Sequence, residues 1–189
     1  MNLLATRLTN RLVKVGAVSS DSADIYIYGL EVLFSSLFST ILLLLIGTLL
    51  GFFVETVTFF IVFISLRSFT GGFHANTYLL CMSITSIIYI SVIIASIYVA
   101  IGEYVYIVVF PLGMISIIAK APVRNPNKPL THNEYNRHKV ISIIVYLTII
   151  GVGLLLMNYH QLLSRVVLFT LIADILLMFV RTRYRTENK

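Results

Sequence analysis

Six long apolar runs constrain the fold of this chain more than any other feature of its sequence. They span Ile25–Ile46, Leu50–Leu66, Tyr78–Ile101, Tyr104–Ala119, Val140–Met157 and Leu162–Val180. A helix that crosses the hydrocarbon core of a bilayer needs about 20 apolar residues, with a range of roughly 17–25. Because lipid offers no hydrogen bonds to the backbone, such runs must satisfy their own polar groups as helices. The sequence therefore predicts an all-α, polytopic integral membrane protein with about six transmembrane helices.

The composition excludes an ordinary soluble domain. Of the 189 residues, 58% are hydrophobic and 12% are charged, whereas soluble domains average about 45–50% apolar and about 25% charged residues. A net charge of +6 is also typical of nucleic-acid-binding proteins. Here the basic residues lie between apolar runs and form no basic domain, so we expect no nucleic-acid partner. We predict one membrane domain over residues 1–189, with transmembrane helices over 25–180.

The positions of the basic residues predict the orientation in the membrane. Lys and Arg accumulate in cytoplasmic loops. With the N-terminus inside and six crossings, all of the 14 Lys and Arg residues except Arg165 fall in inside segments. This predicts a membrane protein with cytoplasmic termini, a basic cytoplasmic tail over 181–189, and cytoplasmic loops over 67–77 and 120–139. The fourth run is marginally short, which leaves an alternative of four spans with two re-entrant segments. That alternative would also place both termini on the cytoplasmic side.

The first 18 residues have the pattern of an amphipathic helix. Leu3, Leu4, Leu8, Leu12 and Val15 recur at helical spacing, with basic residues on the other faces. This spacing predicts a helix that lies in the membrane interface, and the alternative is a solvated tail.

Two glycines follow the first apolar run, in the sequence GTLLG. Gly47 and Gly51 have the spacing of a helix-packing motif of small residues. We favour instead a tight turn between the first two spans.

A cluster of reactive residue types lies between the second and third runs, in RSFTGGFHANTYLLC (67–81). It contains Arg67, Gly72, His74 and the only cysteine of the chain, Cys81. A thiol becomes a nucleophile when a base such as histidine is near. On a continuous helix, however, seven residues separate the two by roughly 10 Å, too far for a hydrogen bond. If they pair, the helix must break, and Gly71-Gly72 supplies a break because glycine adopts backbone angles that other residues avoid.

Each of these residues also has an ordinary structural interpretation. A buried cysteine is a common small apolar residue, an interfacial histidine is common in amphipathic segments, and Arg67 serves equally well as a topology anchor. The remaining histidines show no paired ligand spacing, so we expect no metal or other cofactor.

Acidic residues inside apolar runs are functional candidates by default. Glu31 lies near the cytoplasmic end of the first run and is our candidate for orienting the His74 imidazole. Asp174 is predicted to pair with Arg67 or to reach the site. Glu55 lies near the outer end, where an interfacial position explains it.

The cluster resembles the accessory gene regulator B family, membrane peptidases that process quorum-sensing peptides. The matching residues are Arg67, Gly71, Gly72, His74, Ala75 and Cys81. The segment APVRNPNKPLTHNEYNRHK (121–139) resembles the Pro- and Lys-bearing loop of the family, and YGLEVLF (28–34) is typical of its first span. The resemblance covers nearly the whole chain.

The resemblance implies a cysteine endopeptidase. Cys81 would be the nucleophile, His74 the base and then the acid, and Arg67 and Gly72 supporting residues. The substrate would be a small propeptide with an amphipathic leader and an acidic C-terminal tail. Cleavage before the tail would leave a thioester on Cys81, and the peptide's own nucleophile would displace the enzyme and close a thiolactone or lactone ring. The family also implies a homodimer.

The basic loop offers a place for the acidic tail of such a substrate. Lys120, Arg124 and Lys128 would attract it, although the same charges also set the topology. The competing class is a small transporter or peptide exporter without chemistry. Against that class, the two halves of the sequence show no clear internal repeat.

Overall fold

The chain folds into a bundle of seven α-helices over the residues that the computed structural model describes, 2–71, 78–123 and 131–180. The helices are α1 (Asn2–Lys14), α2 (Ala23–Leu49), α3 (Phe53–Thr70), α4 (Tyr78–Tyr98), α5 (Glu103–Lys120), α6 (His132–Tyr159) and α7 (Gln161–Phe179), and a short 3₁₀ helix (Ser20–Ser22) precedes α2. These residues form no strand. The predicted all-α class is confirmed.

The six apolar runs correspond to α2 to α7, and the largest difference lies at the start of α6. The apolar run begins at Val140, but the helix begins at His132. Thr131 caps it: its Oγ1 accepts a hydrogen bond from the Glu134 N–H, and the Glu134 carboxylate accepts one from the Thr131 N–H at 2.9 Å. This reciprocal capping box satisfies two free donors and lets the helix start in polar sequence. The loop expected over 120–139 is therefore helical in its second half.

Four helices are long and apolar enough to cross a bilayer, namely α2, α3, α6 and α7. Helices α4 and α5 contain shorter apolar stretches, Met82–Tyr98 and Tyr104–Lys120. A polytopic membrane protein is thus confirmed, while the full count of six crossings and their orientation stay predictions.

Helix α1 uses its small residues for packing and leaves its large ones outside. Ala5 and Thr9 are fully buried, and α1 packs against α2. The predicted apolar stripe of Leu3, Leu8 and their neighbours is exposed. An amphipathic helix held in this way has an apolar face free for lipid, which fits the interfacial helix predicted over residues 1–18.

Helix α7 is the centre of the bundle and packs against α3, α4, α5 and α6. Glycines allow close contacts between neighbouring helices of the bundle. A Cβ at Gly113 would overlap the Tyr146 hydroxyl, and one at Gly47 would overlap Thr56 Oγ1. Gly47 is therefore a packing residue inside α2, whereas Gly51, with a φ of 79°, makes the turn expected between the first two spans.

Successive helices run in opposite directions, so the bundle has two ends. The Arg67 end holds the last turns of α3, α5 and α7 and the first turns of α2, α4 and α6. The Arg165 end holds the opposite ends of the same helices. The predicted chemistry falls at the Arg67 end.

Candidate active site at the Arg67 end

Helix α3 stops where the sequence predicts a break. It ends at Thr70, and Gly71 follows with a φ of 69°. The segment after α5 packs against this turn: the Val123 N–H donates to the Thr70 carbonyl at 2.8 Å. A Cβ at Gly71 would lie 3.1 Å from the Val123 carbonyl oxygen. Glycine is thus needed both for the backbone angle and for the close approach of the second segment.

Arg67 lies in the last turn of α3, one turn before this break. Its guanidinium carbon is 5.1 Å from the centre of the Phe63 ring. Its positive charge also acts on the carboxylate of Asp174 in α7. The predicted pairing of Arg67 with Asp174 stays a prediction.

Asp174 is an unusual group for the centre of a membrane bundle. It is 3% exposed, and its Oδ2 makes no hydrogen bond within the described part of the chain. A buried oxygen without a partner costs about 1–3 kcal/mol. The Asp174 carboxyl group thus keeps one oxygen without a hydrogen-bond partner among the described residues.

Glu31, in α2, is a second buried acid with an unpartnered carboxyl oxygen in the described chain. It is 8% exposed, and no described residue donates a hydrogen bond to its Oε1. Ser35 and Ser39 follow at intervals of four residues and are also buried, so the inner face of α2 carries a polar stripe. Glu31 is placed as a buried carboxylate in the half of α2 that belongs to the Arg67 end. Its predicted role toward His74 stays a prediction.

The predicted catalytic pair falls only partly within the described residues. Cys81 is the fourth residue of α4, but its side chain is outside the described residues. His74 and Gly72, in the segment 72–77, are also outside them. The pairing of His74 with Cys81 therefore stays a prediction.

Of the residues predicted to bind the acidic tail, one lies within the described residues and two lie outside them. Lys120 is exposed at the last residue of α5, and its Nζ lies 5.4 Å from the centre of the Phe179 ring. Arg124 and Lys128 lie outside the described residues. Lys120 is thus at the Arg67 end, one residue before the segment that packs on the Gly71 turn.

His138 is a residue that the sequence patterns did not identify as part of this region. It is half-buried on α6, and its ring centre is 5.8 Å from that of Phe69, in the last turn of α3. A second imidazole therefore lies against a residue two positions before Gly71. The capping box at Thr131 and Glu134 could have located it, since it predicts that α6 includes His138.

Comparison with known proteins matches nearly the whole chain to one family. The family model described as "Accessory gene regulator B" matches residues 5–180. Among curated proteins, an AgrB-like protein of Clostridium perfringens is 26% identical over 77% of this chain and 76% of its own length. Accessory gene regulator protein B of Staphylococcus epidermidis is 29% identical over 69% of this chain and 59% of its own length.

A more local match is protein FsrB of Enterococcus faecalis, which is 38% identical over 34% of this chain and 27% of its own length. The chain thus spans about three fifths or less of these last two relatives. No solved structure matches the chain significantly.

Proposed function

Because the chain belongs to the accessory gene regulator B family, which gives it a role in a quorum-sensing system, we propose that it is a cysteine endopeptidase. It removes the C-terminal tail of a small propeptide and promotes closure of the remaining segment into a thiolactone or lactone ring. The observation that carries this proposal is the position of Cys81. It lies near the start of α4, at the end of the bundle where α3 breaks at Gly71 and where Arg67 stands in the last turn of α3.

The proposed reaction has two acyl transfers. The Cys81 thiolate attacks the carbonyl carbon of the bond before the tail, and the protonated His74 imidazole gives its proton to the departing amine. The signal segment is then held as a thioester. A thiol or hydroxyl of the same peptide attacks this thioester, His74 accepts its proton, and the Cys81 thiolate leaves as the ring closes. No step requires a metal or another cofactor.

Arg67 supports this reaction as a positive group that can bind a peptide carbonyl or carboxylate. Asp174, on α7, would attract the guanidinium, and the Gly71 turn ends α3 before the segment that contains His74. Lys120, with Arg124 and Lys128, attracts the acidic tail. The proposed setting is a bacterial cell membrane, with this end in the cytoplasm and two copies of the chain forming a homodimer.

The test uses the purified full chain in liposomes with a propeptide that ends in an acidic tail. Cys81→Ser should reduce cleavage by about a thousandfold or more, because a serine hydroxyl is far harder to deprotonate than a thiol. The chain has one cysteine, so a hydroxylamine-sensitive adduct on the wild-type protein identifies the nucleophile without ambiguity. Normal cleavage by Cys81→Ser would reject the peptidase and favour the transporter.

The base is tested with three histidine variants. His74→Ala should lose about 10²–10⁴-fold in rate, the usual contribution of a general base, and the double variant with Cys81→Ser should be no worse than either single one. His160→Ala, at the Arg165 end, is the matched control and should cleave normally. If His138→Ala fails and His74→Ala does not, the base is His138.

A further inference from the structure

A polar cavity lies at the Arg165 end of the bundle, far from the candidate active site. It opens between the start of α5 and the turn from α6 to α7, with a volume of about 180 Å³. Its polar walls are Tyr106, Asn158, Gln161, Ser164 and Arg165. Nothing in the proposed peptidase chemistry uses these groups, and their role as a binding site does not depend on that chemistry.

Arg165 makes this cavity positive. The guanidinium has five N–H donors, yet within the described chain it makes one long hydrogen bond, 3.4 Å from Nη1 to the Ser96 carbonyl. It forms no ion pair with any described acid. A charged group in an apolar helix is costly and is a functional candidate by default. Arg165 therefore has donors left for an anion in the cavity.

The start of α7 adds to the positive potential. Its N-cap residue, His160, makes no side-chain capping bond. The first N–H groups of α7 therefore carry an unneutralised partial positive charge, and they lie beside Gln161 and Arg165 on the cavity wall.

The tyrosines at this end indicate the depth of the cavity in a bilayer. Tyr98 and Tyr159 are the last residues of α4 and α6, and Tyr104 is the second residue of α5. All three are largely exposed. Exposed tyrosines at helix ends mark the boundary between lipid and water. The cavity lies at the same helix ends and therefore at the level of the lipid headgroups.

We infer that this cavity binds the phosphate of an anionic phospholipid such as phosphatidylglycerol. Phosphodiester oxygens are the abundant anions at headgroup depth, and a guanidinium binds them with paired hydrogen bonds. The hydroxyl and amide groups of the wall suit a glycerol headgroup. The acyl chains would lie against the exposed apolar surface of the neighbouring helices.

Native mass spectrometry of the full chain in detergent tests the inference by titration with single lipids. The wild-type protein should bind phosphatidylglycerol more tightly than phosphatidylcholine. Arg165→Gln should lower the phosphatidylglycerol affinity about fivefold, the effect of one basic residue near an anionic surface. Arg137→Gln removes an exposed arginine at the other end and should leave that affinity within experimental error. Equal binding of the two lipids, or wild-type affinity in Arg165→Gln, would overturn the inference.

Two further measurements distinguish loss of the lipid site from misfolding, and lipid binding from binding of a soluble anion. Asn158→Leu places an apolar side chain at an exposed position on the cavity wall and should weaken phosphatidylglycerol binding even if Arg165→Gln fails to fold. Inorganic phosphate and glycerol phosphate, added in excess, should not displace the bound lipid, because they lack acyl chains. Displacement by either would assign the cavity to a soluble anion instead.

Discussion

At the Arg165 end, the buried hydroxyl groups of Tyr106 and Ser164 are hydrogen-bonded, whereas at the Arg67 end the buried carboxylates of Glu31 and Asp174 each keep a free oxygen within the described chain. Tyr106 Oη lies 2.8 Å from Ser164 Oγ, and Ser164 Oγ donates to the Gly153 carbonyl at 2.9 Å. This closed network joins α5, α6 and α7. These hydrogen bonds stabilise the packing of the three helices.

The Arg67 end is different because two of its buried groups, the carboxyl groups of Glu31 and Asp174, each keep an oxygen without a partner in the described chain. Buried groups without partners are rare in native proteins, so each one that persists has a reason. Functional sites commonly keep such unfavourable features at the expense of stability. The contrast therefore distinguishes the end whose buried hydroxyl groups are hydrogen-bonded from the candidate active site, and substitutions at the two ends should affect different measurements.

The largest expected effect is on catalysis, from Asp174→Asn. Loss of the negative charge should release Arg67 from its position and reduce the cleavage rate about a hundredfold, the usual result of a displacement of about 1 Å at a reactive centre. The desolvation cost of the buried carboxyl group opposes its attraction to Arg67, so the free energy of unfolding should change little.

Cleavage assays and unfolding measurements on the same preparations check this prediction. Glu55→Gln, which neutralises an acid at the Arg165 end of α3, is the control and should change neither quantity. If Asp174→Asn destabilises the protein and cleaves normally, Asp174 is structural, and the contrast between the two ends is wrong.

The second effect is on stability, from Gly113→Ala in α5. The added Cβ would overlap the hydroxyl of Tyr146, which is fully buried and donates to the Val109 carbonyl at 2.9 Å. Overpacking of this kind costs about 1–3 kcal/mol. Gly151→Ala in α6 is the matched control, because its Cβ would meet nothing within 4 Å and should be neutral or stabilising. Equal unfolding free energies in the two variants would refute the close contact.

A smaller effect is expected from Tyr106→Phe. The variant removes the hydroxyl that bonds Ser164 and should lower the free energy of unfolding by about 1 kcal/mol, with the cleavage rate unchanged. Tyr104→Phe alters an exposed tyrosine on the same helix and should have no effect on stability. A loss of cleavage in Tyr106→Phe would mean that the two ends are coupled.

The smallest effect is expected from Lys120→Gln. Removal of this exposed charge should raise the apparent KM for an acid-tailed propeptide about twofold, and more at low salt than at high salt. A propeptide with a neutral tail is the control and should show no change. A salt-independent increase would assign Lys120 to packing against Phe179 rather than to substrate attraction.

Sequence patterns predicted the helices well because long apolar runs in lipid have one stable form. They predicted the ends of the helices less well where hydropathy and capping disagree. The start of α6 is the clearest case: hydropathy placed it at Val140, but the T-x-x-E signature at Thr131 already indicated the earlier start. His138 was missed as a neighbour of the site for the same reason.

Contacts between distant helices were predicted only in part. Asp174 was predicted as a partner of Arg67 because charged residues inside a membrane are usually paired, and that pairing stays a prediction. The contact of Gly47 with Thr56 and the hydrogen bonds of Tyr106 were not anticipated, since they depend on how the helices rotate about their axes. Sequence patterns do not specify that rotation when apolar residues occupy every face.

The early start of α6 has a mechanical consequence. Its 28 residues make a rod about 42 Å long at about 1.5 Å per residue, while the hydrocarbon core is about 30 Å thick. The excess of about 12 Å equals the polar turns from His132 to Lys139. These turns would extend beyond the bilayer as a short rigid helix. An antibody fragment or a protease could bind this helix on the intact, membrane-embedded protein.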